Sequence, residues 1–378
     1  MWYLIVHLFV FSLVPCVLHY TYRSHSLSNS SNFNSTLKWS IPLILSILTY
    51  SLIIGFAYNT GEDYTLYYDY YVSSVRGQFD DWGERREIGF QYLVKSLSCI
   101  SESPALFFIL CSLLNNYAWV KVSSLFGKAS WFVMFMLYII LYPLSMNLYR
   151  QYMAMAFLLI AFSLLMKREL SFNMKGWVLL LIALAFYFHT SSIAGLVMYF
   201  LGYCCRNANI NKILLICIVL LTTILSDTLL VSAFEQLNLI VETFQAVSNK
   251  GYGFEEMVDT QWDESRMKYV LMIIHIVYIW YADKVLKTNS QSRFILYLMV
   301  FYFILLPISM QEIMLRIRTY LSPFMAIGLA LTLYFNLNQK YKKASIPYPL
   351  LFASMIDFSY IFYNLYNLGE LFPLKYLD

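Results

Sequence analysis

Charge is what this 378-residue chain has least of: only 13% of its residues are Asp, Glu, Lys or Arg, against about 25% in a soluble domain. That scarcity excludes an ordinary water-soluble enzyme, and no nucleic-acid partner is expected. Chemical signatures are missing too. The six cysteines, Cys16, Cys99, Cys111, Cys204, Cys205 and Cys217, show no CxxC spacing, so neither a disulfide framework nor a zinc site is indicated. No metal-ligand spacing, Walker loop, dinucleotide fingerprint or nucleophile elbow appears, and neither a cofactor nor a metal is expected. The absence of an H-x-x-x-x-D pair argues against a membrane acyltransferase. No internal repeat stands out, which weakens a transporter built from inverted repeats.

Hydrophobic residues make up 60% of the chain, and its mean hydropathy is +0.60. Apolar runs of 16 to 22 residues recur, long enough to cross roughly 30 Å of hydrocarbon as helices. The expected fold is therefore an all-α polytopic membrane protein with about twelve transmembrane helices in a single domain, 1–378. The spans fall near 1–20, 39–58, 104–121, 129–145, 148–166, 176–189, 191–205, 212–227, 268–283, 293–310, 316–335 and 346–363. The first run lacks a basic leader and a small-residue cleavage site, so it reads as a retained span.

Alternate connections differ in charge. One side collects fifteen basic residues against two acidic ones, Glu169 and Asp283; the other side and its membrane edge hold eleven basic and twenty acidic residues. The positive-inside rule then places both termini outside. Two outward connections are long, 59–103 and 227–267. Within the second, Leu230, Ala233, Phe234, Leu237, Val241 and Phe244 recur at helical spacing, predicting an amphipathic helix on the outer surface, followed by a polar flap.

Four groups of candidates converge on that outer side. Arg150 is the one charged residue between Ala129 and Met166, a costly placement inside hydrocarbon. The break YPLSMN, 142–147, moves it to the first turn of the fifth span, where Asn147, Arg150, Gln151 and Ala154 share a face by i, i+3 and i+4 spacing. It serves either as an anion contact or as an arginine reaching for headgroups. His189 ends the sixth span in FHTSS and suits either a proton acceptor or a helix-terminating histidine; His7, His19 and His275 read as packing residues. Arg316 and Arg318 open the eleventh span about 200° apart on an ideal helix, with Glu312 spaced to pair Arg316 and Tyr320 on the Arg316 face. In the first outer connection, Asp63 and Glu87 flank the chain where it returns to the membrane, and Glu87 opens an amphipathic segment, EIGFQYLVKSL.

The order GEDYTLYYDYY, then E-x-G-F at 87–90, N-x-Y-R-Q-x-M-A at 147–154, F-H-x-S at 188–191 and R-I-x-x-Y at 316–320 resembles the EpsG-like family of bacterial exopolysaccharide membrane proteins, which includes many Wzy-type O-antigen polymerases. It departs from the family's G-T-D-Y at Glu62, which leaves Asp63 as the aligned acid. The resemblance implies a GT-C-like glycosyltransferase bundle in the bacterial inner membrane, with its active site at the periplasmic face. Donor and acceptor would be oligosaccharides on undecaprenyl pyrophosphate, and a separate co-polymerase would set chain length. In that setting Arg150, Arg316 and Arg318 would bind pyrophosphate, Asp63, Glu87 or His189 would take the acceptor proton, and Gln151 and Tyr320 would position substrate. The rivals are an O-antigen ligase, disfavoured because 227–267 carries Arg266 but no His, and a flippase or transporter for lipid-linked sugars.

Overall fold

The computed structural model describes residues 13–19, 41–58, 63–78, 87–166, 171–226, 265–288, 290–308, 312–337, 348–367 and 375–376. Beyond a helical stretch at 13–19, fourteen helices follow among the described residues: α1 Ile41–Gly55, α2 Tyr64–Val75, α3 Ile88–Ser98, α4 Ala105–Ser123, α5 Ser130–Asn147, α6 Tyr149–Leu165, α7 Phe172–Phe188, α8 Ser192–Cys205, α9 Lys212–Leu225, α10 Ser265–Leu286, α11 Ser290–Leu305, α12 Glu312–Thr319, α13 Ser322–Leu337 and α14 Tyr348–Asn367. The fold is all-α as expected. Its only described β pairing is a two-residue antiparallel bridge, Ala57 opposite Tyr376 and Tyr58 opposite Lys375.

Among the described residues, two helical stretches, Ala105–Tyr142 and Lys268–Leu286, are long and apolar enough to cross a membrane, and seven shorter apolar helices accompany them. The first stretch is divided by the turn Ser124–Ala129, where Gly127 adopts φ 51°. That left-handed value suits glycine and closes α4 and α5 into a hairpin. Polar caps start other apolar helices: Ser171 accepts from the Met174 amide before α7, and Asn211 from the Ile213 amide before α9.

Three expectations are corrected. The six-residue break expected at 142–147 shrinks to one residue, Leu148 (φ −104°, ψ 51°), because α5 continues helical through Asn147. Asn147 therefore closes α5, and the break at Leu148 separates it from α6, which carries Arg150. The eleventh apolar run is two helices, α12 and α13, broken at Tyr320–Leu321, where the charged EIMLRIRT gives way to the apolar run beginning at Ser322. The first outer connection is largely helical: α3 matches the expected amphipathic segment, whereas α2 forms in a stretch where no helix is expected. The amphipathic helix over 230–244 and its flap lie outside the described residues.

The chain forms two compact units, Met1–Leu196 with Ser359–Asp378, and Val197–Phe358. In the first, α4 packs on α1 and α6, α6 on α7, and α3 on α2 and α7. An aromatic core joins these helices: Tyr64, Tyr67, Tyr70 and Tyr71 of α2, Phe90 of α3, Phe107 and Phe108 of α4, and Tyr149 of α6 are all buried together. In the second, α10, α11 and α13 pack on one another, and α9 lies on α10 and α11.

Candidate functional site

The motif E-x-G-F has a mechanical explanation. A Cβ on Gly89 would stand 2.4 Å from Cδ1 of Tyr187 and 2.7 Å from its backbone oxygen. Only glycine lets the first turn of α3 press on the last turn of α7. That contact brings the residue before α3, Glu87, to the residue after α7, His189. Phe90 follows one position later, fully buried between Tyr67, Tyr70 and Phe107.

Glu87 occupies the N-cap position of α3 in an extended conformation, yet its side chain makes no capping bond. Its carboxylate is used elsewhere. Oε1 accepts from His189 Nδ1 at 2.6 Å, and Oε2 accepts from Arg150 Nη1 at 2.5 Å. Arg150 Nε donates a long bond, 3.5 Å, to the Tyr67 hydroxyl, and the guanidinium lies 5.7 Å from the centre of the Phe90 ring, within cation–π reach. The side chains of Arg150, Glu87 and His189 are 21%, 13% and 9% exposed. The cluster is thus largely withdrawn from water but open at the arginine.

Burial pushes the Glu87 carboxyl upward, but the His189 bond and the Arg150 charge outweigh it and hold the group at about 2. Glu87 is ionised at neutral pH and accepts only. His189 Nδ1 must then carry the proton of that bond, which leaves Nε2 as the ring nitrogen that can accept one. Burial raises the Tyr67 phenol, with the Arg150 charge opposing, so Tyr67 stays a neutral hydroxyl.

The other candidates fall as follows. Asp63 sits half-buried just before α2, one turn ahead of Tyr67, and its charge reaches that hydroxyl. Gln151 is buried on α6 beside Arg150. Arg316 and Arg318 belong to the second unit, on α12; the Arg318 guanidinium lies 5.4 Å from the centre of the Tyr302 ring. Glu312 lies on the same helix, and its side chain is outside the described residues. Tyr320 is fully buried in the turn after α12, its carbonyl accepting from the Tyr199 hydroxyl at 3.1 Å. A ring so enclosed offers no face to a sugar. Near these, His275 stacks 3.9 Å from Phe303, a packing role, and Tyr278 donates to Asp357 at 3.3 Å.

The structure therefore joins Glu87, Arg150 and His189, and adds two residues that sequence reasoning passed over, Tyr67 and Phe90. Their signal was present: Tyr64, Tyr67 and Tyr71 repeat at i, i+3 and i+7, a helical stripe within a segment that reads as loop.

Fold and cluster together define a class: an all-α protein of apolar helices, compatible with a membrane setting, whose charged site forms where short helices meet the ends of apolar ones. The model of the EpsG family matches residues 40–376, and the chain belongs to the EpsG family. No curated protein matches it, and no solved structure does.

Proposed function

We propose that the chain is a polysaccharide polymerase that joins repeat units by glycosyl transfer from an undecaprenyl-pyrophosphate-linked donor, with its helices crossing the inner membrane and the cluster facing the periplasm. Family membership supports the polymerase role. The observation that carries the mechanism is the division of labour around Glu87. One oxygen orients His189 and the other holds Arg150, so Glu87 is a positioning residue and a poor base. His189 Nε2 takes the proton of the acceptor hydroxyl as its oxygen bonds the anomeric carbon. The bond from that carbon to the phosphate oxygen breaks, and the electron pair leaves with the pyrophosphate. The N–H groups of Arg150 not directed at Glu87 and Tyr67 stabilise the departing charge, a permanent bidentate donor being suited to it.

The test is Arg150→Ala and Arg150→Lys, followed by polymer length on the cell surface and by in-vitro polymerisation with a purified lipid-linked repeat unit. Both variants are expected to lose long polymer at normal expression. Full-length polymer from Arg150→Ala would overturn the pyrophosphate role. A wild-type protein that moves or ligates the lipid-linked chain without extending it would replace polymerase by flippase or ligase.

A further inference from the structure

We propose that Tyr67 is a catalytic hydrogen-bond donor of this site, its phenol proton directed to an anionic phosphate oxygen held beside Arg150. The inference rests on the glycosyl-transfer reading above and adds a residue to it.

Donor accounting carries the argument. Tyr67 is 3% exposed, and a buried hydroxyl has both a lone pair and a proton to place. The lone pair is taken, because Arg150 Nε, which only donates, points at the Tyr67 oxygen. The proton has no acceptor among the described residues. Ring contacts fix where it lies: Tyr67 stands edge-on to Phe90 at 5.7 Å and to Tyr149 at 5.3 Å, and stacks on Phe107 at 6.2 Å. The phenol is thus locked with its oxygen against the guanidinium. Asp63, one turn earlier, places a negative charge near enough to act on the hydroxyl.

An O–H donor next to a guanidinium complements an oxygen of high negative charge, and a leaving pyrophosphate is that chemistry. During transfer the C–O electron pair passes to the pyrophosphate oxygen. Tyr67 keeps its proton throughout and donates a hydrogen bond to that oxygen, while the proton released by the acceptor goes to His189. The arginine also polarises the phenol, which strengthens the donor.

Two replacements separate a donor from a mere prop for Arg150. Tyr67→Phe keeps the ring and its packing and deletes the hydroxyl. Replacing Tyr67 by 3-fluorotyrosine makes the hydroxyl a better donor and a poorer acceptor. Both are assayed in the full-length protein, by in-vitro polymerisation rate and by affinity for inorganic pyrophosphate. Tyr67→Phe is expected to lower turnover and pyrophosphate affinity by about tenfold to a hundredfold, the range of a hydrogen bond to a charged group. The fluorinated protein should match or exceed wild type in both. A fluorinated protein weaker than wild type would assign Tyr67 to holding Arg150 alone, and an unchanged Tyr67→Phe would remove it from the site. Wild-type protein inert toward the lipid-linked donor would instead overturn the glycosyl-transfer reading, a distinct outcome.

Discussion

Glu87 Oε1 stands 2.6 Å from His189 Nδ1, although the two residues are 102 positions apart, and that one distance fixes which ring nitrogen can act. Glutamine at 87 keeps the shape but places an amide where the carboxylate was. It cannot accept from both His189 and Arg150 through two oxygens, so its NH2 group opposes one donor. Facing His189, it favours the tautomer protonated at Nε2, which cannot take a proton. Glu87→Gln is therefore expected to lower the polymerisation rate by roughly 10³–10⁴, as for loss of an orienting carboxylate in a catalytic triad. Rates within tenfold of wild type would place the base elsewhere, with Asp63 the next candidate.

The same carboxylate makes stability depend on pH. Its folded value is about 2, against 4.5 for the free group. A depressed carboxylate stabilises the fold above its unfolded value and loses that contribution as pH falls toward the folded one. The difference corresponds to about 3 kcal/mol. Denaturation midpoints of wild type and Glu87→Gln should therefore differ most above pH 4.5 and converge toward pH 2. A gap that persists undiminished at the acid end would contradict the ion pair.

Much of this site was legible in the sequence, and the limits have physical causes. Arg150 was visible because a charge in an apolar run has to be explained, and His189 and Glu87 because each ends or opens an apolar segment. What pattern alone does not give is pairing: nothing in residue spacing brings position 87 to 189, since the link is made by Gly89 pressing on Tyr187. The helix α2 stayed hidden for another reason. Its tyrosines and polar residues, YTLYYDYYVSSV, favour neither a span nor a helix by propensity, and its aromatic stripe acquires meaning only against Phe90 and Phe107. The helix boundaries erred where a run of uniform hydropathy conceals a break, at Leu148 and at Tyr320.

Gly89 offers a test of that link. Alanine there places its methyl against both the ring and the carbonyl of Tyr187, so α3 must retreat from α7 or strain must be absorbed. Overpacking of this kind costs about 1–3 kcal/mol, and the retreat would draw Glu87 from His189. Gly89→Ala should lower thermal stability and polymerisation together. Trimming the ring with Tyr187→Ala should restore little, because the backbone oxygen remains in the way. Full recovery in the double variant would show that the ring alone set the spacing.

The two arginines of the second unit should also part company. The Arg318 guanidinium is spread over Tyr302, a contact worth about 0.5–2 kcal/mol, while Arg316 leaves α12 on a different side. Arg318→Ala is accordingly expected to lower the unfolding midpoint and to change the Michaelis constant for the lipid-linked donor less than threefold. Arg316→Ala tests the other arginine: a fall of about 10²–10³ in kcat/KM for that donor would make Arg316 a donor to the pyrophosphate, and an unchanged value would assign it to the packing of its own unit. Measuring both quantities on both variants decides between them. If Arg318→Ala alone abolishes turnover at unchanged stability, Arg318 is the phosphate ligand and its stacking on Tyr302 serves to aim it.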